Sequence, residues 1–173
     1  MWGSNNIRDL AFRITDGLQS LLDLGCGRGN SSKLFTCPVK VGVDSFSKYG
    51  EDYCKEIGGI FINGDMLKIK EIFPRNSFDV VCLWDSIEHL TKDEGAKVLS
   101  DAESISKKQI IVFTPCGECK QETDPLGEGN SGNTHKSAWV EDDFLKRFYE
   151  VILIKKYIKV NNQDVLLAHK RVG

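Results

Sequence analysis

The order of apolar runs predicts an α/β fold: a doubly wound, mostly parallel seven-stranded sheet ending in an antiparallel hairpin, in a three-layer α/β/α arrangement. Two observations carry this. Five short β-rich runs alternate with helical segments between Ser20 and Pro115, the pattern of parallel strands joined by crossover helices. After them, two long strand-like runs are separated only by Asn161-Asn162-Gln163, a joint that permits a hairpin and no crossover helix. The 173 residues are close to one domain's worth of chain, so 1–173 is read as a single domain.

Each element has its own signal. Ile7, Leu10, Ala11 and Ile14 recur at helical spacing and form an amphipathic helix, read as a short helical cap over residues 1–19. Ser20 to Leu24 is the first strand, ended by Gly25, Gly27 and Gly29, and a short helix is expected from about Asn30 to Phe35. Val39 to Val43 is the second strand, closed by Asp44, and the next helix carries Phe46, Tyr49, Tyr53 and Ile57 on one face. Gly59 to Asn63 is the third strand, ended by Gly64-Asp65, and a helical segment from Leu67 to Phe73 stops at Pro74. Phe78 to Trp84 is too apolar for a half-exposed strand and belongs at the centre of the sheet. The helix that follows buries Val98, Leu99, Ala102 and Ile105, and strand five runs from Gln109 to Thr114 before Pro115. The closing runs are Tyr149 to Val160 and Asp164 to Arg171. Residues 116–138 are polar and contain four glycines. So long a loop in a compact domain is expected to be an active-site lid, mobile until ligands order it.

Composition narrows the partners. Twenty-three Lys and Arg stand against 25 Asp and Glu, a net charge of −2 that argues against a protein built to bind nucleic acid. No apolar run approaches the length of a membrane span, and the first residues lack the unbroken core of a signal peptide. Six cysteines are too dilute for a disulfide scaffold, which points to a reduced, cytoplasmic protein with no membrane partner. Cys116-Gly117-Glu118-Cys119 supplies two thiolates where a tetrahedral zinc site needs four ligands, so no metal site is expected. Lys155, Lys156, Lys159, Lys170 and Arg171 read as charges guarding a sheet edge.

Four strand ends carry chemistry. Glycines directly after the first strand let the backbone turn tightly and let a ligand approach without a Cβ in the way. Their spacing, G-x-G-x-G, is one residue short of the dinucleotide fingerprint. Asp44, 19 residues past Gly25, offers a carboxylate that can accept both ribose hydroxyls of an adenosine. Dehydrogenases use the same geometry, so an NAD-dependent oxidoreductase is an alternative, opposed by the glycine spacing and the terminal hairpin. Ser45 is expected to cap the next helix and so free the Asp44 carboxylate for ligand. Gly64-Asp65-Met66 and Trp84-Asp85-Ser86-Ile87-Glu88-His89-Leu90 occupy the ends of strands three and four.

The stretch Leu21-Leu22-Asp23-Leu24-Gly25-Cys26-Gly27-Arg28-Gly29 resembles the first motif of class I S-adenosylmethionine-dependent methyltransferases. The likeness extends from Ser20 to Arg171. It implies S-adenosylmethionine as cofactor, S-adenosylhomocysteine as product, and a small-molecule or exposed protein side chain as methyl acceptor. By the same resemblance, Asp23, Gly25, Cys26, Gly27 and Asn30 belong to the loop that holds the methionyl part, and Asp44 and Ser45 to the ribose site. Asp65 accepts from the adenine amino group, the Met66 amide meets a ring nitrogen, and Trp84 and Asp85 floor the transfer site. The acceptor pocket is expected between the N-terminal helix, the loop after strand four and the 116–138 loop. His89, in the family's Glu-His-Leu pattern, and Asp85 are candidates to take a proton from a neutral amine or hydroxyl. His135, ahead of Trp139 and Phe144, is expected to point back toward the acceptor. Amino-methylating members that act on DNA bases, glutamine or other planar amides carry Asn/Asp-Pro-Pro-Tyr/Phe after strand four, so Trp84-Asp85-Ser86-Ile87 argues against that chemistry. A cofactor-binding subunit without turnover is the other alternative.

Overall fold

Every side chain of β4 (Phe78–Trp84) is buried, and after a register shift between Phe78 and Val80 successive residues turn to opposite faces of the sheet. Phe78, Val81 and Leu83 join one apolar core, while Val80, Cys82 and Trp84 join the other. That double burial places β4 centrally in the computed structural model, which describes residues 5–121, 128–158 and 162–173. The remaining strands are β1 (Ser20–Leu24), β2 (Val39–Asp44), β3 (Ile60–Asn63), β5 (Ser106–Pro115), β6 (Glu150–Ile158) and β7 (Gln163–Arg171). The seven-stranded order is β3-β2-β1-β4-β5-β7-β6. Strands β1 to β5 pair in parallel, and β7 inserts antiparallel between β5 and β6. The chain therefore forms the doubly wound sheet with a terminal hairpin that the alternation of apolar runs predicts.

Helices cover both faces. On one side α3 (Ile69–Ile72), α4 (Lys92–Ile105) and α5 (Glu141–Leu145) bury Ile69, Leu99, Ile105 and Phe144 against the sheet. On the other, α1 (Asn5–Thr15) buries Ile7 and Ala11 beside Leu21, Val80 and Ile111. α2 (Gly50–Ile57) lies by β3, with Tyr53 tilted against Phe61. A capping box starts α4: Thr91 Oγ1 accepts from the Glu94 amide, and Glu94 Oε2 accepts from the Thr91 amide. Among the described residues, no helix is long and apolar enough to cross a membrane.

Several boundaries differ from the sequence reading. The expected helix after β1 shrinks to a single 3-10 turn at Ser32–Leu34, while the helix after β2 forms as α2 and opens with a 3-10 turn at Ser47–Tyr49. A 3-10 turn, Met66–Lys68, likewise precedes the short α3. Segments this short gain too few internal hydrogen bonds to hold a full α-helix by themselves. In the hairpin, Ile158 pairs with Gln163, so β7 starts one residue early, and residues 159–161 lie outside the described part. A bulge between Ile154 and Ile158 puts Lys156 at a φ of 52°, where its amide donates to Asp164 Oδ1.

Candidate functional site

The strand order reverses between β1 and β4, so the chain leaves these neighbours in opposite directions and opens a crevice at their carboxyl ends. A trough of about 680 Å³ lies there, a size suited to a cofactor with room beside it. Gly25 has a φ of 74°, and a Cβ on it would stand 2.5 Å from Ser86 Cβ. Only glycine allows the loop after β1 to meet the loop after β4 so closely. Gly27, at a φ of 52°, has open space where a Cβ would be. The Gly25 and Cys26 amides donate to the Val43 carbonyl, joining this loop to the end of β2.

Asp44 stands at the middle of the trough. Its Oδ2 accepts from the Gly27 amide at 2.9 Å and its Oδ1 from the Phe46 amide at 2.8 Å. This corrects the division of labour expected from sequence: Asp44 itself pins the following turn, rather than leaving that to Ser45. Each oxygen keeps a second lone pair directed elsewhere. Burial pushes the Asp44 carboxyl above its ordinary value, against the pull of the two amides. Asp65 has a similar double duty, since its Oδ1 accepts from the Leu67 amide while the residue lines the trough. Met66 and Ser45 line it too, and Asn30 sits at the glycine end.

Asp23 is placed differently. It is fully buried behind the glycine loop, away from the trough lining, and its Oδ2 accepts from Ser31 and Ser32. Its reach to a ligand is therefore indirect, through the loop it braces. Burial pushes Asp23 up to about 6, against the hydrogen bonds from Ser32 and Ser31, with the Asp44 charge adding to the rise. A carboxyl held higher in the folded chain favours its neutral form there. The resulting cost of ionisation is absent below the unfolded value of 3.8, grows with pH, and is complete above about 6. Over that window the folded chain should lose about 3 kcal/mol relative to Asp23→Asn. Urea unfolding of both proteins between about pH 4 and pH 7 measures it, and parallel stability curves would refute it.

The far wall comes from the end of β4. Trp84 stacks on Phe113, with ring centroids 4.4 Å apart, and takes the edge of Phe35. Asp85 follows at a φ of 48° and lines the trough with its side chain exposed there. Burial raises its carboxyl. Glu88, only 3% exposed, accepts from Thr114 Oγ1 at 3.0 Å, and burial together with the Asp85 charge raises it as well. His89 lines the trough and its Nδ1 lies 3.2 Å from the Thr134 carbonyl. Its ring is held below the ordinary histidine value by burial, which outweighs the carbonyls of Thr134 and Asp85. His135 does not line the trough as expected. It packs edge-on behind His89, ring centroids 5.0 Å apart, with Nδ1 at 2.5 Å from the Cys119 carbonyl.

The loop after β5 closes one side. Lys136 and Ser137 amides donate to the Glu88 carbonyl, the His135 amide to the Gln121 carbonyl, and Asn130 Nδ2 to Tyr49 Oη. Asn130, Gly132, Asn133 and Lys136 line the trough, whereas residues 122–127 of the expected lid lie outside the described residues. None of the described residues of α1 lines it, because that helix covers a face of the sheet. The described part of the N-terminal helix is thus a layer packed on the sheet. Arg28 had no assigned role from sequence; it pairs with Asp52 and Glu128 and lies over the Tyr49 ring, tying the loop to α2. Nothing in the glycine spacing tells which way the side chain between two glycines will face. No disulfide joins Cys116 to Cys119.

The family model described as a methyltransferase domain matches residues 22–113. No curated protein matches the chain in sequence. Among solved structures, an S-adenosylmethionine-dependent methyltransferase from Archaeoglobus fulgidus is similar at a TM-score of 0.64 and 18% identity, covering 96% of this chain and 94% of that one. Magnesium protoporphyrin IX methyltransferase from Synechocystis PCC 6803, with bound cofactor, matches at a TM-score of 0.66 and 14% identity over 98% and 77%. The cyclase SpnF matches at a TM-score of 0.72 and 13% identity over 98% and 81%. At such identities these likenesses speak to the fold and leave the reaction to the site.

Proposed function

The chain belongs to the methyltransferase-domain family, and on that premise we propose that it binds S-adenosylmethionine and methylates a small-molecule or exposed protein acceptor. The observation that carries this reading is the convergence of Gly25 to Gly29, Asp44, Asp65-Met66 and Trp84-Asp85 on one trough. The residues fit the cofactor. Open space at Gly27 leaves room for its methionyl end, and Ser86 Oγ, buried beside the glycine loop, has no partner among the described residues.

When bound, the cofactor supplies a methyl group activated by its sulfonium centre. The chain's own residues bind, orient and exclude water. Asp44 accepts the ribose hydroxyls, Asp65 and the Met66 amide take the adenine edge, and the glycine loop with Asn30 and Cys26 cradles the methionyl portion. Asp85 and His89 flank the acceptor end, where either takes a proton from a neutral amine or hydroxyl. Both sit in surroundings that favour their neutral forms, so activity should rise with pH as Asp85 ionises. The 128–138 segment serves as the lid, with Lys136 and Asn133 facing the trough. Asp23 supports the loop from behind.

Calorimetric titration of the purified chain should give one S-adenosylhomocysteine site of micromolar strength and none for NAD. Absence of binding at about 1 mM would overturn the reading. With binding in hand, transfer of labelled methyl to fractionated metabolites and proteins separates an enzyme from a cofactor-binding subunit.

A further inference from the structure

Two segments far apart in sequence bring Glu88, His89 and His135 together beside the trough. One potential ligand atom from each residue lies within 4.8 Å of the other two. Glu88 and His89 sit in the 3-10 turn Ile87–His89 after β4, and His135 in the loop after β5. Backbone bonds clamp these segments together, since the Lys136 and Ser137 amides donate to the Glu88 carbonyl at 2.8 and 3.2 Å.

The hydrogen bonds also set the chemistry. A carbonyl oxygen only accepts, so the Nδ1 of His135, 2.5 Å from the Cys119 carbonyl, carries its proton. The Nδ1 of His89 meets the Thr134 carbonyl in the same way. Each neutral ring then has its lone pair on Nε2. A backbone carbonyl that fixes the tautomer of a histidine in this manner is the usual support of a metal ligand. Glu88 is nine-tenths buried and more, with Oε2 held by Thr114, and no lysine or arginine among the described residues pairs with it. A buried carboxylate facing two imidazoles, without a cation, is a donor set for one.

We propose that Glu88, His89 and His135 bind one divalent transition cation, zinc or a close relative, which clips the 128–138 loop to the wall of the trough. Two nitrogens and one oxygen suit zinc, cobalt or ferrous iron and not the all-oxygen preference of magnesium or calcium. Ligand atoms on a tetrahedral zinc stand about 3.4 Å apart, so atoms now within 4.8 Å of one another need to close by at most about 1.4 Å. This set does not draw on the Cys116 and Cys119 thiols. With His89 holding the ion, Asp85 is left as the proton acceptor of the trough.

The inference is independent of the cofactor and is tested without it. The tag-free full chain, stripped with chelator, is titrated with zinc by calorimetry and with cobalt by visible spectroscopy. One ion per chain is expected, with a cobalt spectrum of nitrogen and oxygen ligation and no sulfur charge-transfer band. His135→Ala and Glu88→Gln should each weaken binding by at least about tenfold, with far-UV circular dichroism unchanged. A Cys116→Ser, Cys119→Ser double variant should bind as the parent does. No stoichiometric binding, a sulfur-ligated spectrum in the parent, or full affinity in folded His135→Ala would overturn the proposal.

Discussion

Asp44→Ala is expected to lower S-adenosylhomocysteine affinity by about a hundredfold or more while the chain stays folded. The carboxylate stands at the end of β2 on the trough wall, with a lone pair free on each oxygen after its bonds to Gly27 and Phe46. Two charge-assisted bonds to ribose hydroxyls contribute roughly 1.5–3 kcal/mol each, so losing both removes at least about 3 kcal/mol of binding. The same change also frees the Gly27 amide, loosening the loop that holds the other end of the cofactor. Asp44→Asn, which keeps one acceptor and loses the charge, should fall between. Calorimetry on the three proteins measures the series. An unchanged affinity in the alanine variant would make Asp44 a turn-holding residue alone.

Trp139→Ala is expected to destabilise the fold by about 3–5 kcal/mol. The side chain is 3% exposed and lies in the same core as Leu99 and Phe144, its ring tilted against Phe144 at 5.4 Å. Gly95 of α4 makes room for it; a Cβ there would overlap the indole. Lys92 Nζ sits 3.9 Å over the ring and the indole Nε1–H donates to Ser137 Oγ. The Trp139 carbonyl also accepts from the Gly117 amide, so this residue joins the two ends of the loop that closes the trough. Denaturant unfolding should show a lower midpoint at an unchanged slope. A loss below about 1 kcal/mol would mean that the neighbouring side chains collapse into the space.

The strand ends were legible because position in an alternating chain is itself structural information. A glycine cluster or an aspartate placed directly after an apolar run must lie at the carboxyl end of a strand, and parallel strands bring those ends to one edge. That is why Gly25, Asp44, Asp65 and Asp85 meet around one trough although up to 60 residues of chain separate them. The hairpin was legible for a similar reason, since three residues cannot cross a sheet.

What the residue order determined by itself is the fold class, the sheet direction and the set of strand-end residues, because apolar periodicity and turn chemistry act locally along the chain. Only the tertiary structure decided which groups face a ligand and which merely support them. Asp23 sits in the same motif as Gly25 yet lies behind it, because it is still inside β1, fully buried and held by the Ser31 and Ser32 hydroxyls, whereas Gly25 is past the strand end. The described part of the N-terminal helix covers a sheet face and not the trough, since its apolar stripe is matched only by the side chains of Leu21, Val80 and their neighbours. His135 stands behind His89, and Glu88 turns inward to Thr114, through contacts between segments that have no local signature. Such contacts depend on where two distant backbones come to rest, and that position is a property of the packed whole.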